Sequence, residues 1–134
     1  MIIAMCGNRC DLCKAYAPNV EKEDRRAELS RAWKQYYDLN IPAEEMVCDG
    51  CRAEGPDVRR VDECCPVRPC GLARGLNHCG ECGDYPCALF AARQGLSAEA
   101  ARAAQGDAFD PAVYEAYLSA YDNRTRLDAT RLAK

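Results

Sequence analysis

Residues 77–90 read NHCGECGDYPCALF. Three cysteines and the one histidine of the chain fall within this stretch, beside two glycines and a proline. Clustered sulfurs of this kind serve in disulfides, in redox chemistry or in metal binding, and each use would organise the fold differently. The rest of the sequence separates these uses, because cysteines recur at the same spacing elsewhere in the chain.

The aliphatic core predicted from the composition is small. The 134 residues fit one domain, but Leu, Ile, Val and Phe together number only 21, which is fewer than an ordinary packed domain contains. The net charge of −3 is too low for the composition of a disordered chain. Something besides aliphatic packing must therefore stabilise the fold, and the eleven cysteines are the obvious source.

The cysteines are predicted to be reduced thiols. The chain begins MIIAMC, with no charged segment or long apolar run before Cys6, so no export signal is indicated and we expect a cytoplasmic protein. No apolar stretch of the sequence is long enough to span a membrane. Structural disulfides are rare in reducing compartments, and an odd number of cysteines cannot pair completely.

The unit Cys-x-x-Cys occurs three times, at residues 10–13, 48–51 and 79–82. Two cysteines at this spacing can bind one ion, and backbone N–H groups of the tight turn between them can donate to the thiolates. A glycine with a positive φ eases such a turn, and three glycines lie in or after these units: Gly50, Gly80 and Gly83. Two pairs form the tetrahedral four-sulfur site typical of structural zinc, so we predict turns like those of zinc knuckles.

We expect two or three Zn²⁺ ions. The predicted ligands are Cys6, Cys10, Cys13, Cys48, Cys51, Cys65, Cys70, Cys79, Cys82 and Cys87. Cys64 and His78 are further candidates. The preferred first site consists of Cys10, Cys13, Cys48 and Cys51. The preferred second site draws on Cys65, Cys70, Cys79 and Cys82, with Cys87 as a competing ligand. Adjacent Cys64 and Cys65 are not expected to bind the same ion, so one of the two is spare.

Iron is the alternative to zinc. Cys6, Cys10 and Cys13 have the spacing of the cluster-binding loop of radical S-adenosylmethionine enzymes, but this chain is too short for their barrel. A plain iron–sulfur protein with a [4Fe–4S] cluster in redox or electron transfer stays open, because thiolates suit iron–sulfur clusters as well as zinc. A metal-handling protein with exchangeable thiolate sites is a third interpretation.

Helices are predicted around the cysteines. Over residues 20–39, Leu29, Trp33 and either Tyr36 or Tyr37 recur at helical spacing. A second helix is expected to start at Pro86, with Asp84 as its cap, and to run to about Arg93.

Two further start signals follow in the last third of the chain. Ser97 caps a helix ending near Gly106, and Asp110-Pro111 starts another. This last helix places four residues on one face: Val113, Tyr117, Leu118 and Tyr121. Residues 122–133 continue or restart as helix.

These patterns predict a mainly α, small cysteine-rich domain with irregular loops stapled by metal ions. Residues 1–96 form its cysteine-rich metal-binding region, and residues 97–134 form a helical C-terminal cap packed on that region.

The cysteine pattern resembles a known family. The segments that carry it are CGNRCDLCKAY, CDGC and CPVRPCGLARGLNHCGECGDYPC, within residues 6–90. They are similar to the domain of unknown function numbered three-seven-nine-five, a small cysteine-rich family of bacteria and archaea. The resemblance implies zinc binding through the cysteines and no particular reaction. Adjacent Cys64 and Cys65 depart from the more separated cysteines that the family leads us to expect.

The charge and the residue types argue against two other functions. The net charge is −3 and the isoelectric point about 5.2, which do not suit a phosphate backbone. One histidine and no phosphate-binding loop provide no catalytic constellation. The sequence therefore predicts a zinc-binding protein, not an enzyme, whose metal is structural and whose surface binds another protein.

Overall fold

A computed structural model of the protein describes residues 1–132, and it confirms a mainly helical fold. Seven α-helices follow one another: α1 Ala17–Lys22, α2 Arg26–Tyr37, α3 Val67–Ala73, α4 Ala88–Ala91, α5 Ala98–Gln105, α6 Pro111–Val113 and α7 Asn123–Leu132. Extended pairing within these residues is limited to two isolated bridges, Ile3 with Arg9 and Tyr16 with Cys48. None of the helices described has both the length and the apolar character needed to cross a membrane.

The helix predicted over residues 20–39 is two helices. Glu23 has a φ of −159° and lies between α1 and α2, so the first helix ends there. At the other end, Asp38 takes a left-handed φ of 54° and stops α2. The predicted buried face is confirmed, since Leu29, Trp33 and Tyr36 are all buried.

The main hydrophobic core lies between α2 and the C-terminal helices. It joins the buried face of α2 to the following buried residues: Ala15, Met46, Ala101, Tyr114 and Leu118. Two smaller clusters contain cysteines at their edges. One is formed by Ala4, Met5, Cys6 and Val67 and the other by Tyr85, Phe90 and Leu127. The aliphatic core is thus concentrated at the helical end of the molecule, while the sulfurs border the small clusters.

The helix predicted to start at Pro86 begins two residues later. Cys87 is extended, with φ −118° and ψ 175°, so α4 starts at Ala88. The predicted cap, Asp84, instead accepts a hydrogen bond from Arg74 at 2.9 Å. The prediction was wrong because this carboxylate pairs with a guanidinium from another segment.

The starts predicted for the next two helices are confirmed. The Ser97 hydroxyl accepts from the backbone N–H of Ala100 at 3.1 Å at the start of α5. The Asp110 carboxylate accepts from the N–H of Ala112 at 2.9 Å at the start of α6. A wider π-helical turn, Tyr114–Leu118, follows α6 and buries Tyr114, which the predicted face did not include.

The last helix, α7, contacts the cysteine-containing loops through polar side chains. Arg126 donates to the carbonyl of Gly7 at 2.7 Å, and Arg131 donates to the carbonyls of Gly80 and Cys82 at 2.9 and 3.0 Å. Helix was predicted over residues 122–133; α7 begins at Asn123, and residue 133 lies outside the described residues. These bonds join α7 to the residue that follows Cys6 and to the third Cys-x-x-Cys segment.

Gly95 lies where no side chain fits, which gives the first testable prediction. A Cβ at this position would stand 1.9 Å from the carbonyl oxygen of Tyr121. Gly95→Ala is expected to lower the free energy of unfolding by about 3 kcal/mol. The matched control is Gly83→Ala, since a Cβ there has nothing within 4 Å, and its effect should stay within about 0.5 kcal/mol. Urea unfolding of both variants measures the difference, and equal stabilities would contradict the packing described.

Candidate metal-binding site

All eleven cysteines lie in the described part of the chain, and none of them forms a disulfide. Ten are buried or half-buried, and Cys64 alone is exposed. Eight of the ten fall into two groups of four, and the other two, Cys6 and Cys65, lie between these groups. The first thiol group is Cys10, Cys13, Cys48 and Cys51, and the second thiol group is Cys70, Cys79, Cys82 and Cys87.

A short parallel bridge brings the halves of the first thiol group together. The N–H of Ala17 donates to the carbonyl of Cys48, and the N–H of Cys48 donates to the carbonyl of Ala15, both at 2.8 Å. Residues 10–13 form a 3₁₀ turn in which the N–H of Cys13 donates to the carbonyl of Cys10 at 3.1 Å. The structure therefore places side by side the four cysteines that the sequence grouped as a first site.

Backbone N–H groups point at the sulfurs of this group. The N–H of Cys51 lies beside the thiol of Cys10, and those of Ala15 and Tyr16 lie beside the thiol of Cys13, where each lowers the pKa of that thiol. Burial, followed by the neighbouring Cys51, raises the pKa of Cys10 to about 12. Without a cation this thiol stays protonated at neutral pH, whereas the N–H donors favour its thiolate.

A tyrosine from the distant C-terminal part also contacts the first thiol group. The Tyr121 hydroxyl lies 2.9 Å from the sulfur of Cys13, and the Trp33 ring packs edge-on against the Tyr121 ring, with centroids 5.7 Å apart. Burial, and then the Cys13 charge, raise the pKa of Tyr121 well above its usual value. The hydroxyl therefore stays protonated and can donate a hydrogen bond to a Cys13 thiolate. The sequence indicated Tyr121 as part of a helix face and not as a partner of Cys13, since 108 residues separate the two.

The second Cys-x-x-Cys turn is held by its own glycine and aspartate. Gly50 takes a φ of 101°, which confirms the need for glycine there. Asp49 accepts from the backbone N–H of Arg59 at 2.8 Å and pairs with the Arg59 guanidinium at 2.9 Å. Because the Asp49 carboxylate is bonded to Arg59, it holds the loop of residues 52–60 against the turn.

The role predicted for the other two glycines is wrong. Neither Gly80 nor Gly83 takes a positive φ. At Gly80 a Cβ would lie 2.8 Å from Nδ1 of His78, so lack of space requires the glycine. At Gly83 nothing lies within 4 Å of a Cβ, and the structure does not require glycine there.

The second thiol group lines a cavity of about 250 Å³. The apolar residues around its four sulfurs include Val67, Tyr85 and Phe90. Burial, and then the neighbouring Cys87, raise the pKa of Cys79 to about 11. The grouping predicted from the sequence placed Cys65 here with Cys87 as a competitor, whereas the structure places Cys87 on the cavity wall.

One arginine lies directly against the second thiol group. Nη1 of Arg74 is 3.0 Å from the sulfur of Cys82 and 2.9 Å from a carboxylate oxygen of Asp84. The N–H of Asp84 also donates to the Cys82 sulfur, at 3.4 Å. Arg74 thus places a positive charge in direct contact with this sulfur. No sequence pattern had indicated Arg74 as a sulfur partner.

Cys6 and Cys65 lie between the two groups. Cys6 is buried and packs in one cluster with Cys65, Cys51 and Cys79. Burial first, and then charges at the thiols of Cys65, Cys51 and Cys79, raise the pKa of Cys6 to about 12. Of the adjacent pair, Cys65 is thus the inward thiol and Cys64 the exposed one.

His78, the further candidate ligand, uses one ring nitrogen in the third turn. Its Nδ1 accepts from the backbone N–H of Gly80 at 3.0 Å, which caps the 3₁₀ turn Cys79–Glu81. The structure therefore gives His78 a local capping bond of the kind that orders a Cys-x-x-Cys turn.

The thiols are neighbours but do not form a closed coordination shell. Within residues 1–132, no group of three or more His, Cys, Asp or Glu side chains is placed so that it could hold a metal ion as it stands. What the structure does provide is a set of unbridged thiols on short turns, with backbone N–H groups and two arginines, Arg52 and Arg74, directed at their sulfurs. This donor set fits thiophilic ions such as zinc.

The fold and the site define a small, mainly helical, cysteine-rich protein whose thiols are free. The chain belongs to the DUF3795 family, described as proteins of unknown function, whose match covers residues 2–92. The match includes all eleven cysteines, whereas α5, α6 and α7 lie beyond it. No curated protein and no solved structure matches the chain.

Proposed function

We propose that this protein binds zinc through thiolates and that the metal is structural. The first thiol group binds one Zn²⁺ and the second binds another. The observation that carries this proposal is that ten unbridged thiols lie in adjoining groups on short turns. A thiolate at such a turn is stabilised by the N–H groups directed at it, and each thiol releases its proton when it binds the ion.

Binding requires the thiol side chains to rotate toward a common ion, since no three of them converge as they stand. The backbone bonds described above already hold the turns, so the change is confined to side chains. A Cys₄ shell leaves no open position for a substrate. We therefore assign the zinc a structural role that stabilises the fold. We further propose that the protein is cytoplasmic and that its surface binds another protein.

Anaerobic purification of the full chain, with elemental analysis and a visible spectrum, tests this function. We expect a colourless protein with at least two zinc ions per chain. A brown protein containing iron and sulfide would contradict zinc and support a [4Fe–4S] cluster. Substoichiometric zinc that a weak chelator removes at once would contradict a structural role and support metal handling.

Tyr121→Phe tests whether Cys13 acts as a thiolate ligand. The substitution removes the hydroxyl 2.9 Å from the Cys13 sulfur and keeps the ring. We expect zinc affinity to fall by about tenfold or more, as for other hydrogen bonds to metal ligands. Tyr117→Phe is the control, because the Tyr117 hydroxyl accepts from Arg25 at 3.2 Å. Competition with a chromophoric chelator measures both variants, and equal affinities would count against Cys13 as a ligand.

A further inference from the structure

Cys51 and Cys79 each have thiol neighbours on two sides. Cys51 belongs to the first thiol group and packs, with Cys10 of that group, against the cluster that contains Cys6. Cys79 belongs to the second thiol group, on the cavity wall, and packs against the same cluster, as Cys65 does. The two groups are therefore joined through the pair of thiols that lies between them.

We propose that Cys6 and Cys65 hold a third zinc ion together with Cys51 and Cys79, whose thiolates also bind the ions of the first and second thiol groups. This inference rests on the proposed function. It makes the site one cluster of three zinc ions and ten thiolates, in which the two shared thiolates bridge the central ion to its neighbours. Each of the ten thiols gives its proton to solvent, and Cys64 stays outside the cluster.

The backbone at Met5 supports this arrangement, because it is bonded to both shared cysteines. The N–H of Met5 donates to the sulfur of Cys51 at 3.2 Å, and the carbonyl of Met5 accepts from the N–H of Cys79 at 2.8 Å. The next residue, Cys6, is only 8% exposed. One short segment thus fixes the central thiol between the two thiols that we assign as bridges.

Cys65 reaches the same place from the start of α3. The cluster of Met5 and Cys6 includes Val67, which is 1% exposed, and Cys65 packs against it. Two mononuclear sites would leave unused both Cys6, the one buried cysteine, and Cys65, which packs against its cluster. Four-coordinate binding of three ions by ten thiols requires two shared ligands, and the structure contains two thiols placed to be shared.

Arginines are distributed along the proposed cluster in a way that suits its charge. Three divalent ions and ten thiolates leave a net negative charge, which needs nearby cations. Arg52 lies 3.9 Å from the sulfur of Cys51, and Arg74 lies 3.0 Å from that of Cys82. Arg93 donates to the carbonyl of Cys64, the residue before Cys65, at 3.4 Å. Each of the three ions therefore has one guanidinium near a ligand.

Cadmium substitution of the full chain tests the inference. We expect three ¹¹³Cd resonances in the range of all-sulfur coordination, with one ion scalar-coupled to both of the others through the shared thiolates. Native mass spectrometry under reducing conditions should show three zinc ions per chain. Two uncoupled resonances and two ions per chain would overturn the cluster and leave the proposed function intact. A folded chain that binds no ion would overturn both.

Variants of the adjacent cysteines locate the central ion. Cys65→Ser is expected to lose one of the three ions and to leave two resonances without mutual coupling. Cys64→Ser, the matched control, should keep three ions. Loss of an ion from Cys64→Ser with none lost from Cys65→Ser would overturn the assignment. If Cys65→Ser does not fold, the coupling pattern of the unaltered protein decides the question.

Discussion

Chelation of the metal under reducing conditions is expected to unfold the cysteine-rich part of the protein. A structural zinc contributes about 10–16 kcal/mol in small peptides, whereas the net stability of a domain is only about 5–15 kcal/mol. The two small clusters around Met5 and Phe90 include cysteines at their borders. They contain too little aliphatic surface to replace the metal bonds.

The expected measurement is a loss of near-ultraviolet circular dichroism and of amide dispersion in residues 1–16 and 46–96. Part of the helical signal should persist, since the main core between α2 and the C-terminal helices is apolar. Trp33 emission should change as well, because its ring packs against the ring of Tyr121, the tyrosine that contacts Cys13. Added zinc should restore the spectra, and the same chelator saturated with zinc is the control. Spectra unchanged by complete metal removal would contradict a structural role.

Asn123→Ala is expected to lower the free energy of unfolding by about 3–5 kcal/mol. Asn123 is fully buried, and its amide nitrogen donates to the carbonyls of Cys6 and Arg93, both at 3.0 Å. Its side-chain oxygen accepts from the N–H of Gly95 at 2.9 Å. The substitution leaves these three backbone groups without their partner in the interior, where each costs free energy.

The urea midpoint of the zinc-loaded protein measures this effect. The control is Asn40→Ala, since residue 40 is exposed, and its midpoint should stay close to that of the unaltered protein. Similar midpoints for the two variants would show that Asn123 does not join the segments as described. The expected loss of stability also affects the metal-binding region, because one of the three hydrogen bonds is accepted by the carbonyl of Cys6.

Local signals in the sequence predicted the helix starts that depend on a single side chain. Ser97 and Asp110 cap α5 and α6 as expected, because the capping bond reaches only two or three residues along the chain. The start predicted at Pro86 failed because Asp84 is engaged by Arg74, ten residues upstream. A local rule cannot register such a competitor.

Prediction of the thiol positions from the sequence has the same limit. Spacing predicted tight turns at residues 10–13 and 79–82, which are 3₁₀ turns in the structure. It also grouped Cys10 with Cys13, Cys48 and Cys51, which are its neighbours in the fold. The choice between Cys64 and Cys65 depends on packing against Met5 and Val67, which no spacing rule contains. Tyr121 and Asn123 lie more than 100 residues from the cysteines that they contact, so only the folded chain brings them there.

Zinc K-edge X-ray absorption of the anaerobically purified full chain tests the central claim most directly. A shell of four sulfurs per zinc, at about 2.3 Å, is the predicted result. A first shell dominated by oxygen or nitrogen, or a folded protein without bound metal whose thiols are all alkylated at once, would contradict the account.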